Sequence, residues 1–194
     1  MDIVDTPRLI LRNFQAEDAT DLFAYLQNPT VSCFLSLKLE HIDSAIAEAK
    51  KRSMSDDYIA VCVKDEGTLV GDLFAIREED TFSVGWNFNP AFGGRGFASE
   101  AAYALFSFLF KVKGARRLYA YVEDDNTASQ RLCERLGMRL EGEFKEFVSF
   151  RNANDGSPIY ENTFQNAILR KEWDVKREDR EVANKVVAPT DLDI

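Results

Sequence analysis

Residues Asn89–Glu100, Asn-Pro-Ala-Phe-Gly-Gly-Arg-Gly-Phe-Ala-Ser-Glu, restrict this chain more than any other stretch. An apolar run that reads as a strand, Phe82 to Phe88, leads into them, and an apolar run at helical spacing follows. Gly93, Gly94 and Gly96 let backbone approach a ligand where a side chain would collide. The helix opening after them points unpaired N–H groups and the positive end of its dipole at the same place. Strand, glycine loop and helix start together predict an anion site, most often one for phosphate, and so a bulky diphosphate cofactor.

The flanking pattern predicts one α+β, or mixed α/β, domain. Leu9 to Phe14 alternates as a strand, and Ala16 to Gln27 has Leu22, Phe23 and Leu26 at helical spacing before Asn28-Pro29 stops it. Asp43 is placed to cap a helix reaching about Met54. Tyr58–Val63 and Leu69–Arg77 read as strands joined at Asp65-Glu66-Gly67. The helix after the glycine loop is expected to bury Phe97, Ala101, Ala104, Leu105, Phe108 and Val112. Leu118–Val122 reads as a strand, Thr127–Leu136 as a helix ended by Gly137, and about Arg139–Phe150 and Ile159–Leu169 as a closing hairpin turned at Asn154-Asp155-Gly156. Past Trp173 the charges mix without periodicity, which predicts a domain over 1–173 and a tail over 174–194.

A net charge of −9 argues against binding nucleic acid or anionic membrane, and suits a cationic substrate as well as plain solubility. Cys33, Cys62 and Cys133 are odd in number and widely spaced. They predict a reducing, cytoplasmic setting with neither a disulfide framework nor a metal site. The first residues lack a secretory pattern, and no run approaches the roughly 18 apolar residues of a membrane helix.

Known phosphate loops narrow the reading. A Walker A loop needs Lys-Ser or Lys-Thr after its last glycine, and Gly96 is followed by Phe97-Ala98. A dinucleotide fingerprint needs a third glycine where Ser99 stands, and an acidic residue at a strand end some twenty residues on, which is missing. The pyrophosphate loop of the GNAT acetyltransferases, [Gln/Arg]-x-x-Gly-x-[Gly/Ala], is matched at Gly96 and Ala98 and departed from at Gly93. Val84-Gly85-Trp86-Asn87-Phe88-Asn89-Pro90 resembles that family's fourth strand, and Ala98-Ser99-Glu100-Ala101 the start of its long helix. Asn126 to Met138 resembles its second cofactor motif, Asn-x-x-[Ser/Ala]-x-x-[Leu/Val]-x-x-[Lys/Arg]-x-Gly-[Phe/Met]. Thr6-Pro7-Arg8-Leu9-Ile10-Leu11-Arg12, Asp155-Gly156 and Ala167–Trp173 look like the ribosomal-protein N-acetyltransferase (RimJ/RimL-like) branch. The resemblance spans about residues 5–173.

The resemblance implies a GNAT fold: a mostly antiparallel twisted sheet of about seven strands flanked by about four helices. It also implies acetyl-CoA as donor and direct attack by a primary amine. The acceptor so implied is a protein or peptide α-amino group first, or a small-molecule amine such as an amino-acid conjugate, polyamine or antibiotic. A non-catalytic acyl-CoA-binding module is the reading from another class, and a monomer or homodimer is expected. Backbone N–H groups of Gly93, Gly94, Arg95, Gly96, Phe97, Ala98 and Ser99 are then expected to cradle the pyrophosphate. The backbone of Trp86, Asn87 and Phe88 and the side chain of Asn126 are expected to meet the pantetheine amides. An N–H near Asn87 or Phe88 would serve the oxyanion. Cys133 stands where many GNAT enzymes carry a tyrosine acid, which makes Ser129 the stronger candidate acid or water-holder and Cys133 a second candidate acid, or more simply a buried apolar residue. Glu146 is taken as base, with Asp72, Glu123 and the lone histidine, His41, as further candidates. Phe34, Trp86 and Phe147 are the aromatic residues expected to face the acceptor.

Overall fold

The computed structural model describes residues 2–175. The strands β1 (Val4–Asp5) and β2 (Leu9–Asn13) lead to helices α1 (Ala19–Leu26) and α2 (Ile42–Ser53). A meander of β3 (Tyr58–Val63), β4 (Leu69–Glu78) and β5 (Thr81–Phe88) follows. Helix α3 (Phe97–Lys111), β6 (Arg117–Glu123) and α4 (Thr127–Leu136) come next, then the hairpin β7 (Arg139–Asn152) and β8 (Pro158–Leu169). Residues 170–175 are helical. Of the expected tail, residues 176–194 lie outside the described residues. One eight-stranded sheet has the order β1-β2-β3-β4-β5-β6-β8-β7. The expected seven strands are joined by the short β1, so the family's fourth strand is β5 here.

Strand alternation sorts the core into two layers. In β3, Ile59 and Val61 pack with α3 and α4, whereas Ala60 and Cys62 pack with α1 and α2. Helix α3 is buried on most of its circumference, with Phe106, Phe108 and Phe110 all in the core. Trp173 closes its far side, its ring 4.6 Å from Tyr103 and 5.8 Å from both Phe106 and Phe110. Two expectations fail at helix ends. Val112 lies one residue past α3 and is exposed, because the chain leaves the core there. The N-cap of α2 is His41 and not Asp43, which sits in the first turn, where its charge suits the helix dipole.

All neighbouring strands are antiparallel except β5 and β6, which α3 joins as a parallel crossover. That pairing covers only Thr81 to Ser83, opposite Arg117 to Tyr119. Beyond it β5 stays with β4 up to Phe88, and β6 stays with β8 up to Glu123. The two strands diverge and leave a wedge through the middle of the sheet.

A buried polar knot ties α1 and α2 to β4. Tyr25 donates to Asp72 Oδ1 at 2.6 Å, and Arg52 Nη1 lies 3.1 Å from Asp72 Oδ2 as an ion contact. Arg52 also donates to Glu48 at 2.9 Å and stacks over Phe14 and Tyr58. Burial pushes the Asp72 pKa up, outweighing the opposing charge of Arg52 and the hydrogen bond from Tyr25. Asp72 is thus a structural carboxylate, removed from the wedge. Asp72→Ala leaves the buried Arg52 charge with Glu48 as its remaining carboxylate partner and Tyr25 without its acceptor, and is expected to lower unfolding free energy by about 2–4 kcal/mol. A denaturant titration showing under about 1 kcal/mol would contradict this role.

Candidate functional site

Two cavities lie along the end of β5, one at the glycine loop and one between β5 and β6. The larger, about 430 Å3, is walled by Phe88, by the loop from Phe92 to Ser99 and by Arg135 of α4. Gly94 and Gly96 have φ of +75° and +79°, a region open to glycine and strained for other residues. Gly96 is the N-cap of α3 and supplies no side chain to its first turn, so the early N–H groups stay available for an anion. Arg135 donates to Ser99 Oγ at 3.1 Å, which holds a cation beside those N–H groups. Arg135 occupies the Lys/Arg position of the second cofactor motif, and that position is the sequence signal for it.

The loop is braced from the N-terminus. Glu100 accepts from Thr6 Oγ1 at 2.7 Å, from the Arg8 backbone N–H at 2.9 Å and from Arg8 Nε at 2.7 Å. Arg8 in turn donates to the Arg95 carbonyl at 2.9 Å and covers the Phe97 ring. Burial works against ionisation of Glu100, but these hydrogen bonds prevail and hold its pKa below the usual carboxylate value. Thr6-Pro7-Arg8 is therefore a strap that fixes the loop before any ligand arrives.

The second cavity, narrow at about 50 Å3, passes through the wedge itself. Trp86, Asn126 and Ser129 line it on the α4 side; Cys33, Phe34, Tyr121 and Glu123 line the other. Asn126 caps α4, its Oδ1 accepting from the Ser129 N–H at 3.1 Å. That leaves the Asn126 amide nitrogen, and not both of its polar atoms, for a ligand. The Trp86 indole N–H donates to Ser129 Oγ at 3.0 Å, so the serine's own proton is directed elsewhere. Asn89 donates its backbone N–H to Val70 on the β4 side. By strand alternation Asn87 turns its backbone amide the same way, and Trp86 and Phe88 turn theirs to the open edge.

Glu123 is the carboxylate at the cavity. It is 5% exposed, at the end of β6, and burial raises its pKa, with Glu161 and Asp125 adding repulsion. The Cys33 side chain lines the same cavity beside it. Burial, reinforced by Glu123, pushes the Cys33 pKa far up and keeps that sulfur protonated. Cys33 reaches this position on a short 3-10 segment, Ser32–Leu37, tied to the hairpin by Ser32 donating to Glu161 at 2.6 Å. The local sequence carries no signal for the approach of Cys33 to a residue ninety positions away.

The remaining candidates sit elsewhere. Cys133 is 1% exposed on the core side of α4 beside Leu132 and Leu136, with its pKa pushed up to about 12 by burial. It packs as an apolar residue and does not line the cavity. Glu146 is exposed on a bulge of β7, where its backbone N–H donates to Asn162. His41 is exposed at the start of α2. Phe34 and Trp86 line the cavity as expected, and Phe147 lies outside it, against Tyr121. Among the described residues no group of histidine, cysteine or acidic side chains forms a metal site.

The fold that carries this site is shared with known enzymes. An acetyltransferase (GNAT) domain matches residues 8–139. The uncharacterized N-acetyltransferase YnaD of Bacillus subtilis is 29% identical over 173 residues, covering 88% of this chain and 98% of that protein. A GNAT-family acetyltransferase from Bacillus anthracis superposes with a TM-score of 0.79 at 28% identity, over 88% of this chain and all of that one. A ribosomal-protein-S5-alanine acetyltransferase from Vibrio fischeri shares the fold, with a TM-score of 0.69 at 16% identity over 89% of this chain and 99% of its own. The chain belongs to the GNAT acetyltransferase family and is an acetyltransferase. Enzymes of this family use acetyl-CoA.

Removing the brace tests whether the loop must be preformed. Glu100→Ala is expected to weaken acetyl-CoA binding about tenfold in calorimetry, the scale of one charge-assisted hydrogen bond. Unchanged affinity would show that the loop organises itself.

Proposed function

We propose that residues 1–173 transfer the acetyl group of acetyl-CoA to a primary amine by direct attack, within a ternary complex formed across the wedge. The observation that carries this reading is the position of Ser129 and Glu123 on opposite sides of one slot through the sheet. The N–H groups from Gly94 to Ser99, with Arg135, take the pyrophosphate. The arm then runs along the open edge of β5, pairing with Trp86 and Phe88 and with the Asn126 amide nitrogen. One of those two backbone N–H groups faces the thioester oxygen as negative charge develops on it.

The amine enters from the Cys33 side. Its ammonium gives a proton to Glu123, and the free amine attacks the thioester carbon. The leaving sulfur lies toward α4, where the Ser129 hydroxyl, oriented by Trp86, gives its proton to the departing thiolate and is reprotonated by the proton that the attacking nitrogen sheds as the amide forms. The Cys33 thiol does not carry the acetyl group, since a thiol held protonated is a poor nucleophile. Among acceptors, an α-amino group of a peptide comes first, in keeping with the RimJ/RimL-like opening segment and the shared fold of the ribosomal-protein enzyme. A small-molecule amine is second.

Thiol release from acetyl-CoA against peptides of varied first residue, amino acids, polyamines and aminoglycosides tests the reaction. Release with one class confirms transfer and names the acceptor chemistry; bound acetyl-CoA without release across the panel contradicts it. Glu123→Gln is expected to lower kcat by about 10²- to 10⁴-fold while acetyl-CoA still binds. Only the ionised carboxylate accepts the proton, so kcat/KM of the natural sequence falls as pH drops through the Glu123 pKa. Burial places that fall above the usual carboxylate range. A profile flat down to pH 4.5, the ordinary carboxylate value of about 4.3 being the reference, would exclude Glu123 as base.

A further inference from the structure

Beside the acceptor mouth of the slot lies a shelf of aromatic rings. Tyr121 packs against Phe144 at 6.1 Å and Phe147 at 5.8 Å, and those two rings are 5.0 Å apart. Two of the rings face water: Tyr121 is 45% and Phe147 is 52% exposed. Phe144 and Phe147 are three apart in a strand and would regularly point to opposite faces. They share a face because β7 shifts register between Phe144 and Val148, with Glu146 at a φ of +47°. A bulge with a non-glycine residue in the left-handed region is an unfavourable local conformation, and such bulges commonly re-aim a side chain beside an active site. Here the result is a large apolar ring turned outward onto Tyr121.

The shelf is continuous with the transfer slot. Tyr121 lines the slot, and Glu123, two residues on, projects from the same face of β6. We propose that this shelf is the subsite for a flat aromatic group on the acceptor, so that the enzyme favours primary amines carrying a ring a short distance from the nitrogen. This rests on the transfer reading above, with the ammonium at Glu123. Two residues of strand separate Tyr121 from Glu123, roughly 7 Å. That spacing fits an arylethylamine, or an α-amino group whose own side chain is aromatic, and is too long for a ring attached through one carbon. Offset or edge stacking on Tyr121 and Phe147 supplies the selectivity, and exposed apolar area of this kind beside a site marks a contact surface.

Matched pairs isolate the ring: phenethylamine against propylamine, tryptamine against propylamine, and a Phe-headed against an Ala-headed tripeptide. Binding to the protein with coenzyme A present is read by calorimetry, and turnover by thiol release. The ring-bearing member is expected to bind about tenfold more tightly and to show kcat/KM higher by a similar factor, with benzylamine behaving like propylamine. In Phe147→Ala the ratio within each pair is expected to fall toward one. Equal binding and equal kcat/KM within the pairs on the natural sequence overturns the subsite, and so does a ratio that survives in Phe147→Ala. A ring preference in binding without thiol release supports the shelf and contradicts the transfer reading; turnover of both members alike does the reverse. The free amines and the peptides separate a small-molecule acceptor from a peptide end.

Discussion

The parting of β5 from β6 after three residue pairs is the constraint on which this molecule turns. Backbone N–H and C=O groups on a strand edge seek partners. Past Ser83, β5 has an open edge in the middle of an eight-stranded sheet, where an edge would ordinarily be filled by the next strand. The pantetheine arm, a chain of amides, has the right chemistry to complete it. The same parting lets residues from both faces of the sheet line one slot, Trp86 and Ser129 from one and Tyr121 and Glu123 from the other, which is what the proposed ternary complex requires.

Everything around the wedge is held from elsewhere. The strap Thr6–Arg8 and Glu100 fix the glycine loop at one end. The Trp86–Ser129 hydrogen bond spans from β5 to α4, and Ser32 with Glu161 pins the 3-10 segment that carries Cys33. Trp173 and the Arg52–Asp72 knot stabilise the two helical layers away from the chemistry. Rigidity of this sort matters for transfer, because reacting groups held in place avoid the ordering that a flexible site would need at each turnover.

What the sequence made legible was local. The glycine loop and the C-terminal Gly137 follow from backbone geometry within a few residues, and both strand pattern and helix order were readable from periodicity, whereas the capping role of Asn126 emerged only in the fold. Pairings between distant segments were not. Glu123 stood among several carboxylates until folding set Cys33 against it and buried it. Glu146, chosen from its strand, fell on an exposed bulge, and a bulge has no compositional signature. The same bulge moved Phe147 to a face that simple alternation denies it. The direction of the Asn87 amide depended on its register with β4, and Arg135 gained its place beside the loop only through the packing of α4 on α3.

Amide hydrogen exchange with and without acetyl-CoA tests the wedge most directly. If the cofactor completes the open edge of β5, added protection should fall on the N–H groups of Trp86 and Phe88 and of Gly94 to Ser99, while Asn87, already turned to β4, changes little. Protection of Asn87 equal to that of its neighbours, or protection confined to surfaces away from β5 and the loop, would mean that the cofactor does not lie in the wedge.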